Sequence, residues 1–138
     1  MKKLLTFTMF VGLVTFLTVG ASGQIKKGKT RAITTKQLMV GLVKPQCGGL
    51  GESLKSAPTD DKMWGELAIK AALLNEISYN STEYGRCPDK DWAVAVTGLR
   101  DGSEAVLAKI EAKDHSGAQE AFKAITASCA ACHKVHKK

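Results

Sequence analysis

The sequence lacks the patterns of several large protein classes. No segment alternates apolar and polar residues with a period of two and no hairpin signal occurs, so β-sheet folds are not predicted. Basic residues are not interleaved with aromatic ones, which argues against nucleic-acid binding. No paired carboxylates, Ser/His/Asp set or phosphate loop can be assembled, so an enzyme is the least favoured class. Internal repeats and low-complexity tracts are absent as well.

Long apolar runs are confined to the N-terminus. Lys2 and Lys3 precede the apolar run 4–20, and small residues follow as far as Gly23. This order predicts a secretory signal peptide, residues 1–23, which is cleaved after Gly23. An uncleaved membrane anchor is the alternative, although the run is short against the roughly 20 apolar residues that span a bilayer. We therefore expect export to the periplasm, with no membrane attachment after cleavage.

The charge balance is basic. The chain of 138 residues holds 20 basic and 13 acidic residues, and removal of the predicted signal leaves a net charge of +5. Much of this excess lies at the two ends, in "IKKGKTR" and "HKVHKK". It suits either a solvated tail or a docking patch for an acidic partner protein. After a flexible lead-in, 24–32, the remaining residues, 33–138, are long enough for one domain.

Apolar residues recur at helical spacing in four segments after residue 32. The first helix is predicted to begin at Thr34 or Thr35, and the second after Thr59 as its N-cap. Asp89 is the predicted N-cap of the third helix. Ser116, with Gln119 three residues later, has the spacing of a capping box for the fourth. The sequence therefore predicts an all-α fold.

Pro45 and the glycines that follow it predict a kink or break in the first helix. The connections between the other helices look short, so neighbouring helices are expected to run antiparallel. This favours an up-down-up-down four-helix bundle.

Two of the four cysteines lie in the motif Cys129-Ala-Ala-Cys132-His133, near the end of the fourth helix. C-x-x-C-H is the signature of covalent c-type haem attachment. Residues three apart share a helix face, so both thiols can reach the two vinyl groups on one edge of a porphyrin. The next residue, His133, is then placed to bind iron axially. The motif thus predicts one haem c at the C-terminal end of the fourth helix.

Two other interpretations of the motif remain. Cys129, Cys132, His133 and His136 have the residue types of a tetrahedral zinc site, but structural zinc usually ties two separate segments together. A thioredoxin-like redox C-x-x-C is expected beside a βαβ pattern, which this sequence does not contain. Both interpretations describe a non-haem module.

An exported four-helix chain with "SCAACHKVH" near its C-terminus resembles the cytochrome c-prime family. It is most similar to that family's low-spin relatives, which carry a methionine on the first helix, here within "TTKQLM". The resemblance spans roughly residues 33–136. It implies one covalent haem, His133 as the proximal ligand, and either electron transfer or the binding of small gases. It also implies a homodimer through the first helix, which the Pro45 interruption weakens.

Bundle topology selects Met39 as the candidate sixth iron ligand. Met39 is near the start of the first helix, at the predicted haem end, whereas Met63 begins the second helix at the opposite end. His115 lies a helix length before His133, and His136 lies on the same helix, where a surface position is expected. Ligation by Met39 would make the protein an electron carrier. If Met39 only packs, the iron is open to nitric oxide or carbon monoxide.

Two predictions concern the remaining residues. Arg86 is either a haem-propionate contact or a solvent-facing loop residue. Haem attachment leaves Cys47 and Cys87 as an even pair in an oxidising compartment, where we expect a disulfide between them or two separate inert thiols.

Overall fold

A computed structural model of the chain describes residues 32–83 and 85–137. The predicted signal peptide and all but the end of the lead-in lie outside these residues. The described part is helical and contains no strand, which confirms the predicted all-α class. The elements are α1 (Thr35–Leu38), a π-helical turn (Met39–Val43), α2 (Lys44–Ser53), α3 (Asp61–Thr82), α4 (Lys90–Glu111) and α5 (His115–His136).

The first helical segment, 35–53, is continuous from α1 to α2. Thr34 is its N-cap: the hydroxyl accepts from the Gln37 N–H at 3.2 Å, while the Gln37 side chain accepts from the Thr34 N–H at 2.8 Å. This reciprocal pair is a capping box, and it satisfies two N–H groups that a helix start leaves unpaired. The predicted start at Thr34 or Thr35 is confirmed.

The sequence predicts a kink or a break at Pro45. The helix does not break there, but changes its helical type just before this residue. The Lys44 N–H donates to the carbonyl of Met39, five residues back, and Pro45 lies in the first turn of α2. In a regular α-helix a proline ring collides with the carbonyl four residues earlier and has no N–H to donate. The wider π turn leaves room for the proline ring and does not require its missing N–H, so the helix continues to Ser53.

The remaining helix starts are set by aspartates. Asp89 caps α4 as predicted, accepting from the Trp92 N–H at 2.9 Å. Asp60, and not Thr59, caps α3 by accepting from the Met63 N–H at 2.8 Å. Carboxylates accept more strongly than hydroxyls and also suit the positive end of the helix dipole.

The predicted capping box at the start of α5 is wrong for the same reason. Asp114 caps α5 through the Gly117 N–H at 2.8 Å, so the helix begins before Ser116. Gln119 is then free to donate to the Leu54 carbonyl at 2.8 Å.

The core is one cluster of buried apolar side chains contributed by every helix. Each fully buried aliphatic side chain stabilises the fold by about 1.5–3 kcal/mol relative to an exposed one. The members are Leu38, Val43, Leu50, Leu54, Leu67, Ala71, Leu74, Ile77, Leu99, Val106, Ile110, Ala118 and Ile125. In the described part of the chain, no helix is both long and apolar enough to cross a membrane.

Two glycines let α4 approach α5 closely. A Cβ on Gly98 would lie 2.3 Å from the Ser128 hydroxyl, and one on Gly102 would lie 3.0 Å from Ile125 Cγ1 and 3.2 Å from its backbone nitrogen. Their role in the structure is to hold the last helix, which carries the C-x-x-C-H motif, tightly against α4.

We expect Gly102→Leu to destabilise the fold by about 1–3 kcal/mol, because the added side chain must displace Ile125 from a packed interface. Chemical denaturation followed by circular dichroism measures the change. Gly65→Ala is the matched control, since a Cβ at Gly65 meets nothing within 4 Å. That control should be neutral or stabilising by up to about 1 kcal/mol. Equal losses in the two variants would contradict the packing argument.

Candidate functional site

The candidate site lies on the last turns of α5. Cys129 and Cys132 are both half-buried, and His133 is exposed. Among the described residues, the His133 ring has no hydrogen-bond or ion-pair partner. The last turn also carries Lys134 and His136, whose positive charge suits the negative end of the helix dipole. The motif therefore lies on a well-formed helix, and the imidazole of His133 is available to bind a ligand.

Cys129 points towards the first helical segment and interacts with Cys47 of α2. Its thiol donates to Cys47, and both side chains pack against the core cluster. The hydrogen bond from Cys129 lowers the pKa of Cys47 to about 7, against the opposing effect of burial. The same hydrogen bond, followed by burial, raises the pKa of Cys129, which keeps its proton.

Cys132 lies near the start of α4. Burial, and then the negative charge of Asp89, raise the pKa of its thiol. Cys129 therefore faces α2 while Cys132 is close to the N-cap of α4.

His136 is not the surface residue that the sequence predicted. Its ring lies edge-on to Trp92 with ring centroids 5.3 Å apart, and only 17% of its side chain is exposed. Its Nε2 is 3.4 Å from Asp89 Oδ1, within ion-pair distance but without hydrogen-bond geometry. Trp92 in turn donates to the Ser81 carbonyl at 2.7 Å. The end of α5 is thus packed against Trp92 of α4, which is itself bonded to the last turn of α3.

The geometry does not assemble the four-ligand zinc site. Within residues 32–83 and 85–137, no three histidine, cysteine or carboxylate side chains converge on a position that could hold a metal ion. Cys129 faces Cys47, His133 faces solvent and His136 faces Trp92, so the three diverge.

Met39 opens the π-helical turn and is half-buried, packed against the core cluster. The same turn exposes two apolar side chains, Val40 at 59% and Leu42 at 42%. Single π turns inside α-helices are rare and frequently mark functional sites. Met63, by contrast, is exposed near the start of α3, where Thr59 donates to its sulfur at 3.4 Å.

Arg86 is buried, with 6% of its surface exposed, so the solvent-facing alternative is wrong. Its guanidinium donates to the Ile33 carbonyl at 2.7 Å and to the Asn80 carbonyl at 3.4 Å. These bonds tie the start of the first helical segment to the end of α3. The predicted contact with a haem propionate stays a prediction.

The structure does not form the predicted Cys47–Cys87 disulfide, and all four cysteines are free in the described residues. The Cys87 thiol donates to the Asp89 carbonyl at 3.4 Å, in the loop before α4, while Cys47 contacts Cys129. The helix continues through Pro45, and this removes the chain reversal that would have brought Cys47 back towards Cys87.

The residues present fit a covalent haem. Two half-buried thiols lie three residues apart on one helix, Cys129 towards α2 and Cys132 towards the start of α4, and the exposed imidazole of His133 follows directly. A methionine thioether is available on a separate helical segment. Thioether attachment and axial ligation use each side chain singly, so they do not require the convergent cluster that zinc requires.

Comparison with protein-family models found no family that matches this chain, and comparison with curated proteins found no significant relative. Its function is therefore argued from the geometry of the site.

We expect Arg86→Met to destabilise the fold by about 1–3 kcal/mol, because two carbonyls lose a buried charged donor. Thermal and urea unfolding of the purified chain measure the loss. Lys62→Met, at an exposed position of α3, is the control and should change stability by no more than about 0.5 kcal/mol. If the two variants unfold alike, the Arg86 hydrogen bonds do not hold the segments together.

Proposed function

We propose that this chain is an exported monohaem c-type cytochrome that carries single electrons. Cys129 and Cys132 hold the haem through thioether bonds, and His133 is the proximal iron ligand. The observation that carries the proposal is the presentation of C-x-x-C-H on one continuous helix, with His133 exposed and its ring without a partner among the described residues. Once attached, the haem would supply reversible one-electron exchange at its iron.

The proposed architecture is an up-down-up-down bundle with the haem at the C-terminal end of α5. Contacts between α3 and α4 support it: Arg100 donates to Ser78 at 3.1 Å, and Trp92, earlier in α4, meets Ser81, later in α3. Between α4 and α5 the order is reversed in the same way, since Gly98 meets Ser128 and Trp92 meets His136. Opposed orders of contact are typical of antiparallel neighbours.

Met39 is the proposed sixth ligand. Its half-buried side chain belongs to a separate helical segment from His133, as a ligand on the opposite haem face must. Methionine ligation opposite histidine raises the reduction potential, which suits electron transfer. The alternative function is a five-coordinate haem protein that binds nitric oxide or carbon monoxide, and the packing of Met39 against the core favours it.

Export to the periplasm by the N-terminal signal is part of the proposal, as is an acidic redox partner. The net charge of +5 on the mature chain would attract a partner of opposite charge over long distances. A homodimer through the first helical segment is the proposed oligomeric form, since Val40 and Leu42 leave apolar surface there.

Expression in a host with c-type cytochrome maturation tests haem attachment. We expect a haem-stained band on a denaturing gel and a pyridine haemochrome spectrum of two thioether bonds. Cys132→Ser should shift that spectrum to one thioether, and Cys129→Ser/Cys132→Ser should abolish the stain. Cys87→Ser is the control and should retain both thioethers. If the wild-type chain carries no haem under these conditions, the proposal is wrong and a non-haem role of the motif is favoured.

The optical spectrum of the oxidised protein tests Met39. We expect a low-spin spectrum with a red-edge sulfur-to-iron band that Met39→Leu abolishes, since leucine fills similar volume without a thioether. Met63→Leu should keep the band, because Met63 lies near the start of α3. A high-spin wild-type spectrum without the band, together with carbon monoxide binding to the reduced form, would favour the gas-binding alternative.

A further inference from the structure

We propose that Cys47 and Cys129 form a disulfide in the haem-free exported chain, joining α2 to α5, and that this bridge must be reduced before Cys129 can receive haem. The second half rests on the proposed function, whereas the first half does not.

The packing of α2 against α5 brings the two cysteines together. Near the end of α2, the Leu54 carbonyl accepts from Gln119, and a Cβ on Gly51 would lie 2.9 Å from the Phe122 ring. One turn back from Gly51 on the same face is Cys47, and two turns on from Phe122 is Cys129. Both cysteines thus lie further along their helices, on the side of each helix that takes part in this contact, and the two thiols interact there.

The two thiols are close enough for a hydrogen bond between them to shift the pKa of each. Cys129 donates to Cys47, and both side chains pack on the same apolar cluster. The other two cysteines are engaged elsewhere, Cys87 with the Asp89 carbonyl and Cys132 near the Asp89 carboxylate. Within the described residues, Cys47 is thus the thiol from another helix that Cys129 meets.

The oxidant required is an external disulfide, as supplied by a dithiol–disulfide oxidoreductase or by oxidised glutathione. With a pKa of about 7, Cys47 is substantially thiolate at neutral pH and attacks a sulfur of that disulfide, releasing one thiolate. The Cys129 sulfur then attacks the Cys47 sulfur of the mixed disulfide and expels the second thiolate, which takes the Cys129 proton. The two cysteines lose two electrons in total, and the external disulfide gains them.

The bridge and the haem compete for one sulfur atom. Thioether formation needs Cys129 as a free thiol or thiolate. A sulfur in a disulfide is neither, so it cannot add to a haem vinyl group. An external dithiol reverses the exchange and releases both thiols. Cys47 would thereby protect the attachment thiol from over-oxidation during export and delay haem attachment until a reductant acts.

Peptide mapping of the full chain, exported from a host without haem-attachment machinery, tests the bridge. The chain is treated with oxidised glutathione, alkylated without reduction, and digested with trypsin. Since Pro45 blocks cleavage after Lys44, Cys47 lies in peptide 37–55 and Cys129 in peptide 124–134. We expect these two peptides to be joined, with Cys87 alkylated. Cys132→Ser and Cys87→Ser should retain the cross-link, whereas Cys129→Ser and Cys47→Ser should lose it.

Four outcomes would contradict the proposed Cys47–Cys129 disulfide. They are a Cys129–Cys132 disulfide within peptide 124–134 with Cys47 alkylated, a Cys47–Cys87 cross-link, alkylation of all four cysteines, or a cross-link that survives Cys129→Ser. The variants also separate loss of the bridge from misfolding, because their circular dichroism spectra should match the wild-type spectrum.

A second arm tests the consequence for haem. The bridged chain is mixed with ferrous haem under anaerobic conditions, with or without a dithiol reductant. We expect no covalent haem on Cys129 until the reductant is added, and full attachment afterwards. Attachment to Cys129 without reduction would overturn the second half. Failure of the fully reduced chain to take haem would overturn the second half. The peptide map still decides the bridge, and expression in a host with c-type cytochrome maturation still decides the proposed function.

Discussion

The hydrogen bonds that α5 makes to the Leu54 carbonyl are the contact on which the rest of the site depends. It lies directly after α2, and two side chains of α5 reach it: Gln119 at 2.8 Å and the His115 ring at 2.9 Å. A helix end leaves its last carbonyls without partners, so these bonds satisfy a group that would otherwise need water. They also fix where α5 starts relative to α2, and hence which residues face each other further along the seam.

From that point, small side chains set the distance between the helices. Gly51 receives the Phe122 ring, and Gly98 and Gly102 receive Ser128 and Ile125. The C-x-x-C-H motif is consequently held against α2 on one side and α4 on the other. Its cysteines lie in different surroundings, although they are only three residues apart, and this difference gives Cys129 a thiol partner while Cys132 has a carboxylate nearby.

Periodicity was enough to predict the helical class, the start at Thr34 or Thr35 and the Asp89 cap, because these depend on local sequence. Contacts between residues of different helices could not be predicted from periodicity. Gln119 has the spacing of a capping-box residue, yet it binds Leu54 of another helix. Arg86 sits among loop residues, and only the fold shows that it is buried against two carbonyls. The cysteine pairing depends on how α2 lies against α5, which no spacing within either helix reveals. The iron ligands suggested by the sequence stay predictions.

The π-helical turn at Met39–Val43 has a consequence for insertions and deletions. A π turn holds one residue more than an α turn, so it is equivalent to a single-residue insertion in the first helical segment. Removing one residue there would restore ordinary α-helical pitch and rotate everything before it by roughly 100° about the helix axis. Met39 and Leu38 would then leave the core face, while Cys47 and Leu50 would keep theirs. The length of this turn, as much as the identity of its residues, decides which side chain the first helical segment presents to the rest of the bundle.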